Sequence, residues 1–349
     1  MAALPARLLV DLPNWLGDFV HALPALAALK DANRGGATAV LLPASHAPLA
    51  RLLGVVVVER PQGAGLTWAR RRLAGRFDIA LTARHSSRAK LLLAGTGARL
   101  CLASRGRGAA ALGLTTFEVA RGEHQRHDLD GALGLLGLPP VPPAPFRLRL
   151  PEALVRQGVL QRALLADLPR MVAFLPATRS CERKRYPIAR ITRVAARLAE
   201  EGITPVAVVG PGEEWMAEPL VDGAGARIAP TAWPLPEIAA LLAACDAAVG
   251  NDSGLTHLAA VVGCPTVALF GPTDPARTAP VGGARVVRPA GYGTGPWSLD
   301  ALDPADVVAN VRAAVASRAG AARAAEGEVA WGVALEAAQR YDWAQRVGR

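Results

Sequence analysis

The sequence predicts an α/β protein built of two doubly wound halves, each a parallel sheet with helices on both faces. Three observations predict it. The chain has 349 residues, which suits two domains in the common range of roughly 100–200 residues each. Short apolar runs alternate with segments of helical period, the pattern of parallel strands joined by crossover helices. The alternation pauses at residues 138–145 (LPPVPPAP) and then resumes; such proline density favours an extended linker between two sets of elements.

In the first set, residues 7–11 (RLLVD) read as a short buried strand and residues 19–30 (FVHALPALAALK) repeat apolar positions at helical spacing. Residues 38–42 (TAVLL) and 77–82 (FDIALT) are the next strands. After the linker, residues 152–165 read as a helix, and residues 171–175 (MVAFL), 204–209 (TPVAVV), 247–249 (AAV) and 266–270 (TVALF) as strands. The tail carries Trp331, Leu335, Ala338 and Tyr341 at helical spacing, with Trp343 close behind. Such a helix either packs back on the first domain or closes the second. The predicted boundaries are 1–150 for the first domain, 151–325 for the second and 326–349 for the tail.

Composition narrows the classes. A hydrophobic content of 51% excludes a disordered chain, and charged residues, Gly or Pro break every apolar run before the ~18 residues of a spanning helix. The opening MAALPARLLVDLP lacks the long apolar core of a signal peptide, so a cytoplasmic location is expected. Cys101, Cys181, Cys245 and Cys264 are scattered, which suggests buried thiols rather than a zinc site or disulfides. The net charge of +10 is carried almost wholly by arginine. Between Arg60 and Arg126 the only acids are Asp78, Glu118 and Glu123. That field suits an anionic partner or a peripheral contact with a membrane; an arginine preference over the whole surface is the other reading.

Three segments carry candidate chemistry. The first strand runs into Pro13-Asn14-Trp15-Leu16-Gly17-Asp18 and then a helix. Ligands of open parallel sheets bind beyond the carboxyl ends of strands, so Asp18 stands where a general base would. It also suits a helix dipole. No GxGxxG follows this strand, which counts against a dinucleotide-binding dehydrogenase.

The second segment, residues 249–260 (VGNDSGLTHLAA), passes from strand through small polar residues into a helix. Backbone N–H groups around Ser253 to Thr256 then form a pyrophosphate site, or Asp252 or Ser253 is an ordinary N-cap. His257 donates to a phosphate, fixes Asp252 or simply packs. The third, residues 174–187 (FLPATRSCERKRYP), is crowded with cations that suit a departing anion; a solvated basic loop is the alternative. Asp128-Leu129-Asp130 matches a metal-binding DxD triplet, but it follows His124-Gln125-Arg126-His127 rather than an apolar strand, so it reads as a helix start.

In this order and spacing, the segments NWLGDFVHALPALAALK, RKRYP and GNDSGLTHLAAVVGCPTVALFGPTDPART resemble glycosyltransferase family 9, the ADP-heptose lipopolysaccharide heptosyltransferases. NWLGD and LTARHSSRAKLLLAGTGARL look more like the enzymes that add the second heptose. The resemblance implies a GT-B fold, two Rossmann-like domains facing across a cleft, with acceptor on the first and ADP-sugar on the second. It implies inverting, metal-independent transfer of heptose to the lipopolysaccharide inner core or a related sugar acceptor, with ADP-heptose as co-substrate and no other cofactor. Position by position, Asp18 becomes the base and Lys184 the cation facing the donor phosphates. Thr178 joins the donor loop, Asp252, Ser253, Gly254, Leu255 and Thr256 form the diphosphate cradle, and His257 completes it. Glu213 or Glu214 meets the ribose. Asn14, Trp15 and Gly17, with Arg84, Arg88 and Lys90, are the acceptor candidates; an anionic glycolipid acceptor and the cytoplasmic face of the inner membrane are the partners this implies.

The chain departs from the family pattern at Thr178 to Arg183, where Gly-Pro-Ala is common, at Tyr186, which stands for a tryptophan, and at residues 291–297 (GYGTGPW), where some second-heptose enzymes carry a cysteine. These departures bear on donor and acceptor preference. The rival readings are a transferase with another donor, a nucleotide-sugar epimerase of the same architecture, and a basic nucleic-acid-binding protein. The last lacks a reader motif and has only 5% aromatics to interleave with its charge.

Overall fold

A computed structural model of the chain describes residues 4–119, 122–166, 169–178, 181–290 and 298–325, with side chains of the last stretch as far as 318. The predicted tail helix at 326–349 and the segment 291–297 lie outside the described residues. Two compact units form, Met1–Phe146 with Ala276–Val281, and Arg147–Pro275 with Gly282–Arg349.

The first unit holds six parallel strands: β1 (Arg7–Asp11), β2 (Ala37–Leu42), β3 (Val56–Glu59), β4 (Ile79–Thr82), β5 (Leu100–Ser104) and β6 (Thr115–Phe117), in the order β3-β2-β1-β4-β5-β6. Leu8, Leu9 and Val10 of β1 are wholly buried, because helices cover both faces of a parallel sheet and leave no polar side to the strand. The helix Leu16–Ala32 is buried on all sides from Phe19 to Leu26, and Leu29 is buried one turn further on. Ala276–Val281 joins this unit by chain pairing, with Phe146 N donating to Val281 O at 2.8 Å.

The second unit repeats the plan with β7 (Arg170–Leu175), β8 (Ile203–Ala207), β9 (Arg227–Ile228), β10 (Ala247–Asn251), β11 (Thr266–Leu269) and β12 (Arg285–Val287), in the order β12-β11-β10-β7-β8-β9. The helix Ile188–Glu200 buries Ile191, Val194, Ala195 and Leu198 against one face, while Val307 and Val311 of the helix Pro304–Ala325 join the same core. In each sheet the winding reverses once, between β1 and β4 and between β7 and β10. Such reversals open a crevice beyond the carboxyl ends of the two strands, where ligands of doubly wound sheets bind.

Among the described residues no helix is long and apolar enough to cross a membrane.

Candidate functional site

In the first unit, β1 ends at Asp11 and turns through Pro13 to Trp15 into the helix Leu16–Ala32, whose first turn carries Asp18. Its neighbour β4 ends at Thr82 and leads through Arg84 and His85 into the helix Ser87–Ala94. Between these two strand ends lies a cavity of about 260 Å³, with Asn14, Trp15, Asp18, Arg84, His85 and Asp128 on its wall.

A buried ion network underlies this turn, and sequence reading missed it. Asp11 is fully buried; its Oδ2 accepts from Thr82 Oγ1 at 2.8 Å, and Arg84 Nη1 approaches at 3.4 Å. Arg60 also pairs with Asp11, and it donates to Leu41 O and Leu12 O at 3.1 Å each and to Asn14 Oδ1. One buried guanidinium therefore holds β1, β2 and the turn that carries Asn14 toward Asp18. Burial raises the Asp11 carboxyl above its usual range, and the charges of Arg60 and Arg84 oppose that rise. Nearby His46 is pushed down to about 4 by burial and then by Arg60, so its imidazole is neutral at neutral pH. The visible signal for the network was an aspartate closing an otherwise apolar strand.

The predicted acceptor residues separate. Asn14, Trp15 and Arg84 share the cavity with Asp18, whereas Gly17, Arg88 and Lys90 are not on its wall. Arg88 stands exposed on its helix. Lys90 is only 3% exposed, and its ammonium fills the space that Gly106 leaves by having no side chain. The two carboxylates of Asp128-Leu129-Asp130 diverge. Asp128 faces the cavity, while Asp130 binds His127 Nδ1 at 2.7 Å and accepts from Val141 N at 2.9 Å.

In the second unit, Asp252 follows β10 and is the hub. Its Oδ2 accepts from Lys184 Nζ at 2.8 Å and from Thr273 Oγ1 at 2.8 Å, and its Oδ1 lies 3.1 Å from His257 Nε2. Burial alone would raise this carboxyl, but His257 and Lys184 hold it well below the usual carboxylate range. It is therefore a fixed anion that sets the position of Lys184. Of the three readings open for His257, contact with Asp252 is the one this geometry displays. Thr273 was not singled out from sequence, although it lies within the segment GPTDP.

Asn251 clips the cationic loop to this hub: its Nδ2 donates to Pro176 O at 2.6 Å and its Oδ1 accepts from Tyr186 N at 2.9 Å. Tyr186 is buried and donates to Leu302 O at 3.0 Å; burial pushes its phenol up to about 12. Thr178 is buried, and its carbonyl accepts from Arg185 Nη2 at 3.2 Å. Arg179 and Ser180 lie outside the described residues.

Ser253 stands at the N-cap of the helix Gly254–Val261 in extended conformation with no side-chain capping bond. Its Oγ lies 3.4 Å from Thr256 Oγ1. The N–H groups of Gly254 and Leu255, at the helix start with the macrodipole behind them, have the chemistry that an anion site requires. Gly250 makes the approach of β10 to this turn possible, since a Cβ there would stand 2.6 Å from both Leu175 Cβ and Thr256 Oγ1. Beyond β8, Glu213 Oε2 accepts from Gly210 N at 2.9 Å, so it is engaged in its own turn. Hydrogen bonds from its own backbone N–H and from Thr231 lower the Glu214 carboxyl.

The model of glycosyltransferase family 9 (heptosyltransferase) matches residues 67–292. The chain is 34% identical over 134 residues to lipooligosaccharide heptosyltransferase 2 of Haemophilus influenzae, covering 35% of this chain and 36% of that protein. It is 33% identical over 137 residues to lipopolysaccharide heptosyltransferase 2 of Escherichia coli K12, covering 37% and 38%. These matches span little more than a third of the relatives' length. The structure of E. coli ADP-heptose lps heptosyltransferase II superposes with a TM-score of 0.78 at 24% identity, covering 89% of this chain and 99% of that one. An E. coli heptosyltransferase solved with ADP gives 0.68 at 22% identity, covering 89% and 98%. The fold is therefore the GT-B type that the resemblance implied, and the chain belongs to glycosyltransferase family 9, the heptosyltransferases.

Proposed function

We propose that the chain transfers heptose from ADP-heptose to a sugar of the lipopolysaccharide inner core or a related acceptor, with inversion and without a metal. The observation that carries this reading is the Lys184–Asp252–His257 constellation beside the start of the helix Gly254–Val261. A cation held by a fixed carboxylate, next to backbone N–H groups, suits a nucleoside diphosphate leaving group. The curated relatives named as heptosyltransferases, and the neighbour solved with ADP, support the choice of donor.

Asp18 takes the proton of the acceptor hydroxyl as that oxygen attacks the anomeric carbon from the face opposite the diphosphate. Positive charge develops on the sugar ring while the bond to ADP breaks. Lys184 and the helix N-terminus stabilise the diphosphate as it departs, and Glu213 or Glu214 meets the ribose. The cavity beside Asp18 receives the acceptor, and the arginine-rich surface of the first unit suits an anionic glycolipid at a membrane face. No nucleic acid is called for.

Calorimetric titration of the full chain with ADP and UDP, in chelator, tests the donor half. ADP is expected to bind more tightly than UDP, and Lys184→Ala to weaken ADP about tenfold or more, the loss of one charge-assisted contact. Preference for UDP would overturn the heptose donor, and failure to bind either nucleotide would overturn the reading.

A further inference from the structure

The first carboxylate of Asp128-Leu129-Asp130 has no part in the chemistry above, yet it lies on the wall of the cavity that holds Asp18. Its Oδ2 stands 3.7 Å from His85 Nε2, with the side chains 21% and 50% exposed. That separation is too long for a direct hydrogen bond. Its Oδ1 is buried and has no hydrogen-bond partner among the described residues. With Oδ1 receiving no hydrogen bond and Oδ2 beyond bonding distance of His85, the carboxylate is weakly met from within the protein, and Oδ2, facing the imidazole, is the oxygen left for a ligand.

His85 is anchored from behind, with Nδ1 at 3.0 Å from Ser104 Oγ. When that hydroxyl donates to Nδ1, the ring proton sits on Nε2 and faces Asp128. The wall then offers an acceptor and a donor side by side, separated by more than one hydrogen bond. A sugar hydroxyl is both donor and acceptor. It can donate to Oδ2 and accept from Nε2 in one position, as a bridging water would. At Asp128 itself a phosphate dianion or a carboxylate has no proton for Oδ2 and meets a like charge, while Arg84 on the same wall is already drawn toward Asp11.

We propose that Asp128 and His85 read a hydroxyl of the acceptor, so that a neutral polyol stretch of the sugar, rather than an anionic substituent, occupies this part of the cavity. The proposal rests on the Asp18 cavity being the acceptor site.

The test is transfer by the full chain from saturating ADP-heptose to delipidated core oligosaccharide that lacks its outer heptose, with the acceptor varied. Asp128→Ala is expected to raise the acceptor KM about tenfold or more, with a smaller change in kcat. Asp128→Asn, which keeps an acceptor oxygen, recovers part of the loss. His85→Ala raises KM as well, and because both residues hold one hydroxyl, the double variant loses less than the two single losses combined. An Asp128→Ala chain with the parental KM, or one that loses kcat alone, overturns the inference. Should that variant lose ADP binding, its fold has suffered and His85→Ala alone decides: a raised KM supports the proposal, a parental one overturns it. A parent chain that yields no heptosyl product overturns the proposed function and this inference together, whereas an active parent with unmoved variants overturns this inference alone.

Discussion

His46 and Asp252, one in each unit, are both held deprotonated, the first chiefly by burial and the second by neighbouring cations that outweigh its burial. Phe19 and His46 pack in a T-shaped pair with ring centroids 5.5 Å apart, and burial with the charge of Arg60 pushes the imidazole down to about 4. An unfolded histidine titrates near 6.5, so the unfolded chain takes up this proton first. The stability that neutral His46 permits is full above about pH 6.5 and is lost as pH falls from there toward 4. Asp252 has its folded pKa depressed by His257 and Lys184. Its contribution is present above the unfolded value of about 3.9 and is lost as pH falls below it. Denaturant midpoints measured from neutral pH downward should therefore decline in two stages. His46→Leu flattens the first stage, and Asp252→Asn removes the second while lowering stability at neutral pH. A His46→Leu chain that follows the parent's decline over the first stage would contradict the assignment.

The turn after β1 is fixed from beneath by Arg60, whose removal leaves Asp11 as a buried carboxylate with weakened compensation. Breaking one side of a buried pair costs about 3–5 kcal/mol. Arg60→Met is expected to destabilise the first unit by about that much in denaturant unfolding, and Asp11→Val added to it to restore a large part. A single variant as stable as the parent would contradict the network's role. The same turn illustrates what the sequence made legible. Asp18 and Asp252 each follow a strongly apolar strand, so strand-to-helix logic brought them into view, whereas within the cation-rich loop after β7 only the family resemblance singled out Lys184. Asp11 and Arg60 come together only through the pairing of β1 with β2 and of β2 with β3, and no local pattern announces that. Strands β1, β2, β4, β7, β8, β10 and β11 were legible because they are buried on both faces and read as apolar runs. Strands β3, β6, β9 and β12 were not, since they are short edge strands that owe their state to a neighbour rather than to their own residues; β5, paired on both sides and mostly buried, was missed without such a reason. Arg88 and Lys90 looked equivalent in sequence; helix phase exposes one and buries the other.

Both units wind in one order and both place their candidate chemistry where the winding reverses, Asp18 beyond β1 and β4, Lys184 and Asp252 beyond β7 and β10. That repetition, together with membership of glycosyltransferase family 9, fits the proposal that the first unit receives the acceptor and the second the nucleotide, without itself assigning either. The measurement that bears most directly on heptosyl transfer is the reaction itself: the full chain, ADP-heptose and delipidated core oligosaccharide in chelator, with the product's anomeric configuration read by NMR. The expected product carries heptose with configuration inverted from the donor, and Asp18→Asn lowers its rate about a hundredfold or more while ADP binding is retained. No heptosyl product from the parent chain, retention of configuration, or an Asp18→Asn chain that turns over at the parental rate would contradict it.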